Sequence, residues 1–202
     1  MLTPALERAL RRLDHPHKVQ AWVSRFTYNT GDETRSAQEA FLAKKAHCFE
    51  GALLACLALE YHGHPPLMMD LRGHGDDDHV VALFKLKGLW GAISKTNTTV
   101  LDFRPAHFRD PRELAMSYWA MYFNWKGKYA MKDFAGPIDL RKFKRFDWRT
   151  GQDDMADLGW AFNKLPHTKL ATPGQLAKLP KVPERLRQAG FLGSDMLGVR
   201  KS

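Results

Sequence analysis

The sequence predicts an α+β fold: a helical amino-terminal half, including one central cysteine-bearing helix, packed on an antiparallel sheet. Three observations carry this expectation. Apolar residues recur at helical spacing through the first 60 or so positions. Beyond Pro65-Pro66 they form short runs, LMMDL, HVVALFKL and LWGAIS, the last two separated by a Lys87-Gly88 turn. Helices come first and strands follow, without the alternation that builds a parallel sheet. The 202 residues are 44% hydrophobic and 26% charged, enough for one sizeable core. The expected organisation is a single domain over residues 1–164 and a basic, proline-punctuated extension over residues 165–202.

Each element has a local reason. Thr3 can cap a helix whose first position is Pro4, with Leu6, Ala9, Leu10 and Leu13 on one face. Asp14-His15-Pro16 ends it, and HKVQAWVSRFTY restarts the periodicity through Val19, Trp22, Val23 and Phe26. After a polar turn from Asn29 to Glu33, Ser36 and Glu39 read as a capping box ahead of Ala40 and Phe41. The stretch ALLACLALEYHG is apolar on nearly every side, the mark of a buried central helix, and Cys48 falls in its first turn. Pro111 opens a further helix through LAMSYWAMYF, KYAMKDF reads as a strand, and Gln152 to Asn163 as a short helix. Trp90, Tyr118 and Trp119 fall on apolar faces and are expected to pack.

The net charge of +9 is unevenly spread: residues 1–124 hold 15 Lys and Arg against 14 Asp and Glu, and residues 125–202 hold 16 against 8. A basic final third could meet nucleic acid, but it carries no helix-turn-helix, RRM or zinc-finger pattern, and a solvated basic surface is the simpler expectation. No apolar run reaches the ~18 residues of a membrane span, and the first residues lack the apolar segment of a secretory signal, so neither membrane association nor export is expected. Cys48 and Cys56, eight positions apart in one helix, cannot bridge each other. Two free thiols suit a reducing, cytoplasmic setting.

Cys48 is the best-placed reactive side chain, because a helix amino terminus favours the thiolate through its unpaired N–H groups. His79, opening the strand HVVALF after Asp76-Asp77-Asp78, is the candidate imidazole to pair with it. A metal is the rival: His47, Cys48, His62, His64, His74 and His79 lie close in sequence with Asp70 and Asp76 to Asp78. Yet no pair shows a CxxC or HExxH spacing, and no metal site is expected.

The order of features is Arg25-Phe26-Thr27-Tyr28, then Ala46-His47-Cys48-Phe49-Glu50-Gly51-Ala52, then Asp78-His79-Val80-Val81, then Trp90-Gly91-Ala92-Ile93-Ser94. Over roughly residues 16–97 this order and spacing resemble the transglutaminase-like superfamily of papain-type fold. The resemblance implies that Cys48 is a nucleophile and His79 its base, in an amide or peptide hydrolase or acyl transferase that works through a Cys48 thioester without a cofactor. It implies a peptide or other acyl substrate, with hydrolysis favoured over crosslinking. Where the family usually has an aspartate after the strand tryptophan, this chain has Ser94, with Asn97 three residues on; either can orient an imidazole. An oxyanion would take the Cys48 backbone N–H and a second donor from Tyr28, Asn29 or Gln38. The alternative is a non-catalytic member of the same fold that binds a partner through the cleft or the basic carboxyl-terminal region.

Overall fold

Strands β3 (Leu67–Gly73) and β4 (His79–Leu86) are apolar on both sides, so the sheet they centre needs a cover on each face. Val80, Ala82 and Phe84 join the core beneath α2 (Pro16–Val23), α3 (Ala37–Ala43) and α4 (Cys48–Tyr61). Val81 and Leu83, pointing the other way, pack with Leu114, Ala115 and Tyr118 of α5 (Pro111–Trp119). The computed structural model describes residues 1–195 of this chain, and they form an α+β fold. The main sheet is antiparallel throughout, in the order β6 (Arg104–Phe108), β5 (Leu89–Ile93), β4, β3, β7 (Met131–Asp139), β8 (Thr168–Lys169). Helix α4 is buried along nearly its whole length, as its all-round apolar sequence requires.

The remaining elements are α1 (Pro4–Leu10), a two-stranded parallel pair β1 (Thr27–Tyr28) and β2 (Lys45–Ala46), α6 (Ala156–Phe162), α7 (Pro173–Lys178) and α8 (Glu184–Gly190). Thr3 and Ser36 cap α1 and α3 with their hydroxyls, as expected from sequence. Several boundaries differ. The helical reading of HKVQAWVSRFTY ends at Val23, and Thr27–Tyr28 leave it to pair with β2, a long-range contact that overrides local periodicity. Strand β6 has no apolar run, since its residues are only partly buried at the sheet edge. Strand β7 continues past KYAMKDF through Gly136-Pro137, where the pairing with β3 shifts register and a proline is tolerated.

Residues 165–195 of the expected extension lie against the body, and its last residues, 196–202, fall outside the described residues. Thr168–Lys169 add an edge strand to β7, Val182 N donates to Gly127 O, and Thr99 N donates to Gly190 O. Part of the basic surplus of residues 125–202 is locally matched: Arg141, Arg149 and Arg187 pair with Asp139, Glu60 and Glu184. Among the described residues no helix is long and apolar enough to cross a membrane.

Candidate functional site

The site starts at the amino terminus of α4. His47 is the N-cap, at φ −86° and ψ −171°, a conformation that needs no glycine. Its Nδ1 accepts the Phe49 N–H at 3.2 Å, while Glu50 Oε2 accepts the His47 N–H at 2.8 Å, completing a capping box. Glu50 is fully buried and also accepts from Arg35 N at 2.9 Å and Asn29 Nδ2 at 3.0 Å. The parallel pairing of Tyr28 with Ala46 sets the Tyr28 ring beside this helix start. Burial pushes the Tyr28 phenol far up, so it keeps its hydrogen, and the Cys48 backbone N–H faces its oxygen.

Cys48 and His79 come from opposite faces of the sheet. His79 pairs with Leu71 across β3 and β4, which turns its ring toward α5, where it meets Tyr118 edge-on at 6.4 Å. The central helix covers the other face. Both residues line one cavity of about 90 Å³ together with Tyr28, Asp78, Asn97 and Tyr122. No hydrogen bond joins the thiol to the imidazole; Cys48 Sγ donates to Asp78 O at 3.8 Å. The expectation of a lowered thiol pKa is corrected. Burial pushes Cys48 up to about 11, outweighing the Phe49 and Val80 N–H groups that draw it down. Cys56 is fully buried, and both thiols are free.

The protonation of His79 follows from its partners. Ser94 Oγ donates its single hydrogen to Leu101 O at 2.7 Å and therefore accepts from His79 Nε2 at 2.9 Å. The same Nε2 lies 3.2 Å from Leu101 O, which can only accept. The ring hydrogen is thus on Nε2, and the lone pair is on Nδ1. Burial, with His79 only 6% exposed, drives its pKa down to about 4 and keeps it neutral.

One consequence is measurable. An unfolded histidine takes up a proton near 6.5, whereas folded His79 resists until about 4, so between these values the unfolded state binds more protons. Stability is therefore lost as pH falls, by about 3 kcal/mol across that window. Denaturant titrations at pH 7 and pH 4 check this: replacing His79 by Phe should flatten the acid dependence by that amount, and an unchanged slope would refute it.

The other expected site residues separate. Asn97 lines the cavity but its amide is spent on Asp195, donating to O and accepting from N at 2.9 Å each, and it does not reach His79. Asn29 supports Glu50, and Gln38 Oε1 accepts the Thr3 N–H at 2.8 Å, tying α1 to α3. Of the three candidate oxyanion donors, only Tyr28 faces the cavity. No three His, Cys, Asp or Glu side chains among the described residues are grouped to hold a metal ion.

Sequence reasoning missed Gln20. Its Oε1 accepts the Ser94 N–H at 2.9 Å, and its Nε2 faces Ser94 O at 2.8 Å and Asp102 Oδ1 at 2.9 Å. The amide thus substitutes for a neighbouring strand at the point where β5 ends, and closes the loop from Ser94 to Asp102 that holds the His79 Nε2–H. Gly51 has a related part. A Cβ there would lie 2.1 Å from Lys95 Cβ, so only glycine lets α4 approach the end of β5 this closely. A signal existed for Gly51, in the helix-start motif, and none for Gln20. The sequence matches no protein-family model and no curated protein.

Proposed function

We propose that this chain is a transglutaminase-like cysteine hydrolase or acyl transferase, with a papain-type core formed by α4 and the strands β3 to β5. The observation that carries the reading is the shared cavity: a thiol at the first residue of a buried helix opens onto the same space as an imidazole whose Nε2–H is held and whose Nδ1 is left as base. Ser94 takes the orienting position that the family gives to aspartate. The thiol and imidazole rest as a neutral pair, so the proton moves during attack rather than before it.

The Cys48 S–H leaves Asp78 O and gives its proton to His79 Nδ1 as sulfur bonds to the substrate carbonyl carbon. The carbonyl electron pair moves onto oxygen, which takes the place of the Tyr28 oxygen before the Cys48 N–H and accepts from that N–H and from the displaced Tyr28 hydroxyl. Collapse breaks the bond to the leaving amine, which takes the proton from His79, and water or a second amine then cleaves the thioester. A second reading, a binding module on the same fold, is favoured by the missing thiol–imidazole hydrogen bond and the raised thiol pKa.

Acylation by 4-nitrophenyl acetate separates the two. An acetyl adduct should appear on Cys48 by intact and peptide mass, be absent in Cys48→Ala, and form roughly 100-fold more slowly in His79→Ala. Alkylation by iodoacetamide should rise with pH toward 11, without the plateau from acid pH that a preformed thiolate gives. Acylation no faster than that of free cysteine and indifferent to His79 would leave the binding module.

A further inference from the structure

Cys48 lies at the junction of two cavities that differ in chemistry. The first holds His79 and the acidic loop Asp76 to Asp78. The second, about 250 Å³, has no histidine in its wall; Cys48 shares it with Phe49, Val80, Gly159, Trp160 and Phe162. Its polar wall is Thr34, Asp70, Asp78 and Asn163; Asp70 is bonded to His167 Nε2 at 3.2 Å, with both side chains almost wholly buried, and Asp78 Oδ1 accepts the Gly73 N–H at 2.9 Å. Trp160, in the lining of this cavity, is 66% exposed.

The direction of proton transfer orients a substrate across this junction. The group that takes a proton from His79 is the leaving group, so it occupies the first cavity and the acyl group must occupy the second. From this we infer that the second cavity is an acyl pocket, and that the substrates are amides or esters of bulky apolar acids, such as aryl or branched alkyl acyl groups. The inference rests on Cys48 as the nucleophile. The size suits it: an apolar cavity of about 150 Å³ takes up benzene. Gly159 points the same way. Glycine inside a helix weakens it, and a Cβ at this position would meet nothing nearer than the Phe49 ring at 3.7 Å, so packing does not require it. What its bare backbone leaves is open space in the pocket wall.

The test compares two acyl donors with one leaving group, 4-nitrophenyl acetate and 4-nitrophenyl 3-phenylpropanoate, each rate on Cys48 divided by the rate of the same ester with free cysteine. The wild-type chain should prefer the phenylpropanoyl ester by about 10-fold or more, the discrimination available from a few methylenes in an apolar pocket. Gly159→Leu, which fills the pocket from a helix it also strengthens, should bring the ratio down toward about 1. Gly159→Ala, the milder filling, should give an intermediate ratio and serves if the leucine variant does not fold. Equal acylation by the two esters, or a preference that survives filling, overturns the acyl pocket and leaves the nucleophile standing. Failure of both esters to acylate Cys48 overturns the nucleophile, and the pocket with it.

Discussion

Replacing Glu50 by Leu should cost about 3–5 kcal/mol, as breaking one side of a buried, hydrogen-bonded charge pair does. Glu50 is fully buried, and its two oxygens accept from the backbone N–H groups of His47 and Arg35, from Asn29 Nδ2 and, at 3.4 Å, from Arg35 Nη1. Leucine has the volume but no acceptor. It would leave three donors and part of a guanidinium without partners, each orphaned group costing about 1–3 kcal/mol before relaxation. For a chain of this size the melting temperature should fall by roughly 10 °C. Glu50→Gln, which keeps one acceptor, should lose markedly less. Thermal unfolding followed by circular dichroism decides it, and a Leu variant as stable as wild type would refute the network's importance. The position matters for the site as well, because Glu50 ties the segment after Tyr28 to the residue before Cys48.

What could be read from sequence was whatever depends on neighbours in the chain. The Thr3-Pro4 and Ser36 helix starts, the buried character of α4 and the runs of β3, β4 and β5 are all local patterns, and they appear in the structure. So does the place of Cys48 at a helix start. What escaped depends on distant partners. Glu50 looks like any first-turn acid, and only Asn29 and Arg35, folded over it, make it a buried anchor. Thr27 and Tyr28 continue a helical pattern but gain more by pairing with Lys45 and Ala46. The pKa of Cys48 departs from the helix-terminus expectation for a related reason. The helix terminus is local and visible, whereas the desolvation that outweighs it comes from the packing of the whole cavity.

Gln20 is the extreme case, and its loss should be the most revealing single change near His79. On an amphipathic helix a glutamine reads as a surface residue, yet Gln20 is only 9% exposed, and besides Ser24 on its own helix it bonds partners 74 and 82 positions away. Gln20→Leu leaves the Ser94 N–H and C=O without their partners and removes one of the two donors to Asp102 Oδ1, which keeps the Phe103 N–H at 2.7 Å; it is expected to cost about 2–3 kcal/mol after the loop relaxes toward water. The larger consequence is positional. Ser94 Oγ and Leu101 O, at either end of the loop that Gln20 closes, are the two groups that hold the His79 hydrogen on Nε2. With the loop released, His79 should populate both neutral tautomers, which the imidazole ¹⁵N shifts report directly, and the acylation rate of Cys48 should fall with the share of Nδ1 that carries hydrogen. Gln20→Glu, of the same shape, sets a second carboxylate against Asp102 and should be at least as damaging, an outcome that a packing role would not produce. A single Nε2–H tautomer in both variants would show that Ser94 is held by the strand alone and that Gln20 does not position the imidazole.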